Sequence, residues 1–217
     1  MNKIEYRNRF ISLLFGLFLY ALGIVFTLNA EIGYAPWEVF HQGVANVTIL
    51  SFGAASIVVG LVVLFFDHLM GESIGVGTAL NILLVGIFID IIRYINIIPK
   101  PENYILRLIF FFIGFIIIAL ASYYYIKSGF SAGPRDSAMV GMNRLTGLPI
   151  GVCRAGIEIL VTILGYILGG PVGVGTVLSA FVAGFVIQTV FDLLKFDPKT
   201  VKHETFKDTL KALKANN

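Results

Sequence analysis

An all-α integral membrane protein of about six transmembrane helices is the fold class this chain predicts, on three observations. Apolar residues fill 57% of the 217 positions and charged residues only 13%, where soluble domains carry about 25% charge. The mean hydropathy is +0.88, and the apolar positions gather into runs of about 20 residues, the length a helix needs to cross a bilayer core. Finally, the chain repeats itself at a constant spacing of 98 residues. Two three-helix repeats therefore make up the expected architecture, each with an extra short helix that is interfacial or re-entrant.

Residues 1–9 are polar, and the run 10–30 that follows is long enough for a retained first crossing rather than a cleaved signal peptide. Residues 36–48 read as a short helix. Pro36 suits the first helical position, and Glu38 in the first turn complements the helix dipole. About 13 residues reach only about 20 Å at 1.5 Å per residue, too short to cross. Trp37, Phe40, Val44 and Val47 share its apolar face, with Glu38, His41, Gln42 and Asn46 largely off it. The second crossing spans 52–66 and ends at Asp67 and His68. A glycine-rich turn with Thr78 as its predicted N-cap leads into the third, to about residue 92. The polar connection 93–107, with Pro99 and Pro101, divides the halves. Crossings four to six follow at 108–126, 150–168 and 177–194, with the second short helix at 134–145. Residues 195–217 form a basic tail of six lysines and three acids.

The repeat pairs Pro36 with Pro134, Glu38 with Asp136, Gly43 with Gly141 and Gly53 with Gly151. It also pairs Gly71-x-x-x-Gly-x-Gly-Thr78 with Gly169-x-x-x-Gly-x-Gly-Thr176. Matched prolines, acids and a whole loop are hard to obtain from apolar composition alone. The repeats are accordingly 1–98 and 99–194. Three crossings per half make the second half enter from the opposite side, an inverted-topology repeat. In that arrangement Lys3, Arg7, Arg9, Lys127, Arg135, Arg144 and the six tail lysines fall on one side, twelve against Arg93, Lys100 and Arg107 on the other. The positive-inside rule then puts both termini in the cytoplasm. An eight-crossing parallel repeat satisfies the same rule, with thirteen against two; helix length favours six.

Glu38 and Asp136 are the leading functional candidates. Either both face a central cavity and bind a solute or ion, since ionisable groups at membrane depth are costly, or each caps its own helix start. Trp37 and Arg135 stand beside them in the same motifs. Arg154 and Glu158 are spaced i,i+4 and share one face, as a structural pair or as part of a site. His41 is a polar interface residue or a ligand, and Asn81 and Asp90 are weaker candidates. The Gly-Val-Gly-Thr loops suit close helix packing better than an anion cradle, and lack the ending of a nucleotide P-loop. Cys153 is the one cysteine, and with no metal-type spacing or nucleophile–base constellation, neither a cofactor nor an enzyme is expected. The net charge of +3 follows the membrane pattern rather than a nucleic-acid face. The expected partners are the bilayer, a small solute or ion, and a second copy of the chain.

Gly33-Tyr-Ala-Pro-Trp-Glu-Val-Phe-His-Gln-Gly43, Ser51-Phe-Gly53, Gly129-Phe-Ser-Ala-Gly-Pro-Arg-Asp136, Thr146-Gly147 and Gly170-Pro-Val-Gly-Val-Gly-Thr176 resemble the YczE/YyaS/YitT group of bacterial membrane proteins, the YczE branch most of all. The resemblance covers nearly the whole chain apart from the tail. It implies a plasma-membrane protein and no particular substrate. A secondary transporter or channel is the function the repeat and its broken polar segments favour; the competing reading is a non-transporting scaffold or regulatory partner.

Overall fold

The computed structural model describes residues 3–72, 74–131, 133–206 and 208. Among these the chain is helical, with no strand: α1 (Lys3–Asn29), α2 (Pro36–Val47), α3 (Phe52–Leu69), α4 (Val76–Ile95), α5 (Tyr104–Ser128), α6 (Pro134–Thr146), α7 (Ile150–Ile167) and α8 (Val174–Leu193). All but α2 and α6 are long and apolar enough to cross a membrane, six candidate spans in total. Local chemistry sets the ends. Ser51 and Asn103 accept backbone N–H bonds at the starts of α3 and α5, and Pro36 and Pro134 open the two short helices. Residues with left-handed backbone, Asn96, Gly129 and Gly147, stop α4, α5 and α6.

The antiparallel pair α1–α5 is the centre of the bundle. Gly16 backs onto Ala121 and Tyr125, and Gly23 onto Gly114 and Ile118, so the two backbones approach closely. Leu13 and Leu17 pack with Tyr125 and Phe130 at one end of this seam, and Ala30 and Ile32 with Phe111 and Phe115 at the other. Helix α4 lies against α1, α8 against α5, and α3 against α4, whereas α7 and α8 make no comparable contact. The short helices cross between halves: α2 packs chiefly on α7, and α6 on α3. Large apolar side chains on the outer faces, Phe65, Phe66, Phe181 and Phe185 among them, stay exposed, as lipid-facing positions require.

Both glycine-rich turns serve packing. The Gly77 N–H donates to the Phe130 carbonyl at 2.9 Å and the Gly175 N–H to the Ile32 carbonyl at 2.7 Å, so these donors are already occupied. Each turn sits on the loop that precedes the other half's short helix.

Several sequence expectations are corrected. Helix α1 begins at Lys3 rather than residue 10; the polar stretch extends an existing helix, which needs no new nucleus, and Arg9 Nε donates to the Ser128 carbonyl at 2.7 Å. Thr78 is not an N-cap: Gly75 holds that position, and Thr78 is buried, donating to Ser131 Oγ at 3.1 Å. Asp67 does not end a helix, because α3 continues to Leu69 and buries it, with neither carboxylate oxygen hydrogen-bonded among the described residues. Val47 of the predicted apolar face is exposed, while Glu38 and His41 are buried. In the tail, the Glu204 N–H donates to the Gly129 carbonyl at 2.8 Å and its carboxylate pairs with Arg9 at 2.5 Å, so the segment folds back on the bundle. The tail residues Lys207, Lys211 and Lys214 lie outside the described residues, as does Ala132 of the second motif.

Candidate functional site

The site is built by the two short helices. Helix α2 runs beside α7: Trp37 clusters with Val161 and Val59, which sit near the middles of α7 and α3. At its other end Asn46 Nδ2 donates to the Gly169 carbonyl at 2.7 Å, just past the end of α7. Helix α2 therefore starts at mid-height and finishes at one end of the bundle. Helix α6 comes from the opposite end, where Arg144 pairs with Glu72 at 2.9 Å and donates to the Met70 carbonyl. Its first turn, Pro134 and Arg135, lies beside Trp37. The N-termini of α2 and α6 thus meet inside the protein.

At the meeting point Arg135 reaches across. Its Nη1 and Nη2 both donate to Glu38 Oε1 at 3.1 Å, and its guanidinium lies 5.2 Å from the centre of the Trp37 ring. Glu38 is 6% exposed. Neither helix start receives a side-chain cap, so Glu38 and Asp136 do not act as N-caps. Each carboxylate instead occupies the first turn, where the positive end of its own helix favours it.

Two cavities adjoin this junction. The smaller, about 50 Å³, lies toward α3 and α4 and is lined by His41, Ser56 and Ile82 among others. The larger, about 370 Å³, lies toward α7 and α8 and holds Glu38, Asp136, Arg154, Glu158 and Ser179 on its walls. Trp37, Asn81, Pro134 and Arg135 line both, so the Trp37–Arg135 stack stands between them. Glu38 and Asp136 share one space.

Arg154 Nε and Glu158 Oε1 pair at 2.9 Å on the cavity wall, as their spacing predicts. His41 is kept out of the larger cavity; its buried ring contacts Phe52 edge-on at 5.8 Å and tilts toward Trp37. Asn81 reaches the boundary between the cavities, while Asp90 is drawn into helix packing instead. Sequence reasoning missed Tyr20, Ser122 and Tyr125, which lie in apolar runs but line the larger cavity. Tyr20 and Ser122 hydrogen-bond at 2.6 Å; the Tyr125 hydroxyl is buried without a partner among the described residues. A tyrosine and a serine one turn or less apart inside a crossing, at 122 and 125, was the available signal. His203 of the tail lies near enough for Asp136 to feel its charge; loss of water around the ring lowers its pKa below the ordinary 6.5, against the pull of Asp136.

Among known proteins, the chain is 34% identical over 182 residues to an uncharacterized protein of Haemophilus influenzae, covering 84% of this chain and 83% of that one. It is 31% identical over 175 residues to the uncharacterized membrane protein YczE of Bacillus subtilis, 80% of each chain. The uncharacterized protein YyaS of the same organism is 24% identical over 185 residues, 83% of this chain and 90% of that one. No solved structure matches. The expected resemblance to YczE and YyaS is borne out, and the six apolar helices fit an integral membrane protein. Residues 7–192 match the model of a family of unknown function, DUF6198, and the chain belongs to that family.

Proposed function

We propose that this membrane protein is a small secondary transporter of the bacterial inner membrane, working by alternating access, with its two halves as an inverted-topology pair and both termini in the cytoplasm. One observation carries the reading: two unequal cavities meet at a junction formed by the first turns of two half-helices. Corresponding broken segments in both halves are the pattern that points to a midplane site in transporters. Trp37 and Arg135, which stack there, are 98 residues apart, the spacing of the repeat. Helices α3 and α7, and α4 and α8, have bounds offset by the same 98 residues, and α1 and α5 run antiparallel. The two compartments differ in volume, about 370 Å³ against about 50 Å³, as the two sides of an alternating site would in any one state. Glu38, Arg135 and Asp136 form the solute site, with Trp37, Asn81, Arg154 and Glu158 on its walls.

Solute uptake into proteoliposomes under an imposed ion gradient tests the reading. Glu38→Gln and Asp136→Asn are each expected to abolish gradient-driven flux while the purified variants keep wild-type helicity and elution. Flux unchanged in both variants removes these residues from the mechanism. The scaffold alternative draws on the broad exposed apolar faces of α7 and α8, and expects those same substitutions to be silent while removal of the basic tail disrupts partner capture.

A further inference from the structure

The charges lining the large cavity do not balance. Arg135 is matched by Glu38, and Arg154 by Glu158. Asp136 has no hydrogen bond to its carboxylate and no ion pair among the described residues, yet its side chain is exposed to the cavity. One negative charge is left over. The positive ends of α2 and α6 do not offset it for a ligand, since Glu38 and Asp136 already occupy those first turns. Arg154, Arg135 and His203 all lie near enough to act on Asp136, but both arginines are paired to other acids, so an anion entering here would meet a carboxylate with no ion pair of its own.

The walls suit a cation on an apolar body. Trp37, Tyr20, Phe115 and Phe191 present aromatic surface, and aromatic faces attract ammonium groups. Tyr125, 3% exposed, lines the same cavity, and its hydroxyl has no hydrogen-bond partner among the described residues; a buried polar atom of this kind takes a water or a ligand group as its partner. A volume of about 370 Å³ falls at the small end of ligand pockets, roughly 300–1,000 Å³.

We propose that the large compartment binds a small organic monocation, an amine with an apolar body, and that Asp136 is its counter-ion with Tyr125 as a second polar contact. This rests on the transporter reading, whose solute it names by class.

Trp37 is the chain's one tryptophan and lines the cavity, so it reports occupancy. The full-length protein in lipid nanodiscs is titrated with phenethylammonium, phenylacetate and 2-phenylethanol, which share a ring and differ in charge, and with sodium chloride. Saturable change in Trp37 emission is expected for phenethylammonium, with affinity falling about tenfold or more in Asp136→Asn, severalfold in Tyr125→Phe, and least in Asp136→Glu. Phenylacetate or 2-phenylethanol binding as tightly as phenethylammonium overturns the proposal, as does unchanged affinity in Asp136→Asn. A response to sodium chloride alone overturns it in favour of an inorganic cation site. If Asp136→Asn fails to fold, the comparison of the three probes on wild-type protein and Tyr125→Phe decides. Phenethylammonium that binds but never enters proteoliposomes counts against transport and not against the site; uptake of another solute without phenethylammonium binding counts against this inference alone.

Discussion

The α3–α4 seam and the α7–α8 gap are made from helices of equal length, yet one is sealed and the other stands open. In the seam, Gly53 and Gly86 let two backbones touch, and Asp90 bridges the helices by accepting from Ser51 Oγ and from the Gly53 N–H, the latter at 2.9 Å. Across the gap, the residues 98 positions on behave differently. At Gly151 and Gly184 a Cβ would meet nothing within 4 Å among the described residues. Gln188, in place of Asp90, donates to Asp192 of its own helix at 2.7 Å. The cavities beside them follow suit, about 50 Å³ against about 370 Å³. A carboxylate that bonds across a seam, set against an amide that bonds along its own helix, is enough to distinguish the two regions.

The strongest way to break this comparison is to add bulk on each side. A Cβ at Gly86 would lie 2.6 Å from the Gly53 carbonyl oxygen, so Gly86→Val is expected to cost about 3 kcal/mol, at the upper end of ordinary overpacking, and to lower the melting temperature in detergent sharply. Gly184→Val is expected to leave melting near wild type. If the gap closes during transport, the same variant abolishes flux in proteoliposomes; normal flux in Gly184→Val refutes closure.

Arg135→Gln tests the junction between the cavities. Removing one partner of a buried ion pair costs about 3–5 kcal/mol. Arg135 is itself 38% exposed, so a loss nearer about 2 kcal/mol is expected after screening. Trp37 emission shifts as its cationic neighbour leaves, and an unshifted spectrum contradicts the stacking.

Asp90→Ala opens the sealed side more gently. Leaving the Gly53 N–H without an acceptor costs about 1–3 kcal/mol. Ser56, on the small cavity, replaced by cysteine in a Cys153→Ser background, should then react faster with a membrane-impermeant maleimide. An unchanged rate means that Asp90 does not hold the seam.

The smallest effect is expected at Glu31, remote from both cavities. Lys100, at 2.6 Å, and Arg107 lower its pKa from the ordinary 4.5. A depressed acid stabilises the fold above its unfolded pKa and loses that contribution as pH falls through the folded value. Glu31→Gln should therefore lower stability by under about 1 kcal/mol at neutral pH, with the difference shrinking progressively in melts as pH falls below the ordinary 4.5. A difference that persists or grows in acid contradicts the pairing.

Much of this was legible beforehand. The six long helices follow from apolar runs whose length matches a crossing, and the two short ones from Pro36 and Pro134, which open a helix wherever they stand. The Arg154–Glu158 pair follows from spacing on one helix. The Glu38–Arg135 bridge was not legible, because its partners are 97 residues apart and meet only when half-helices from opposite ends of the bundle converge. Tyr125 was hidden for another reason: within an apolar run a tyrosine reads as part of the crossing, and only its neighbours decide whether its hydroxyl is satisfied.

By itself the sequence determined what each segment is: which stretches are apolar enough to cross, where proline and glycine start and stop helices, and which charged groups enter the bundle at all. These are local properties, set by side-chain chemistry and backbone sterics within a few turns. Only the tertiary structure decided which groups face one another. That Glu38 is neutralised across the two halves while Asp136 is left open to the cavity depends on how α2 and α6 approach, and on Asp90 closing one seam while α7 and α8 stay apart.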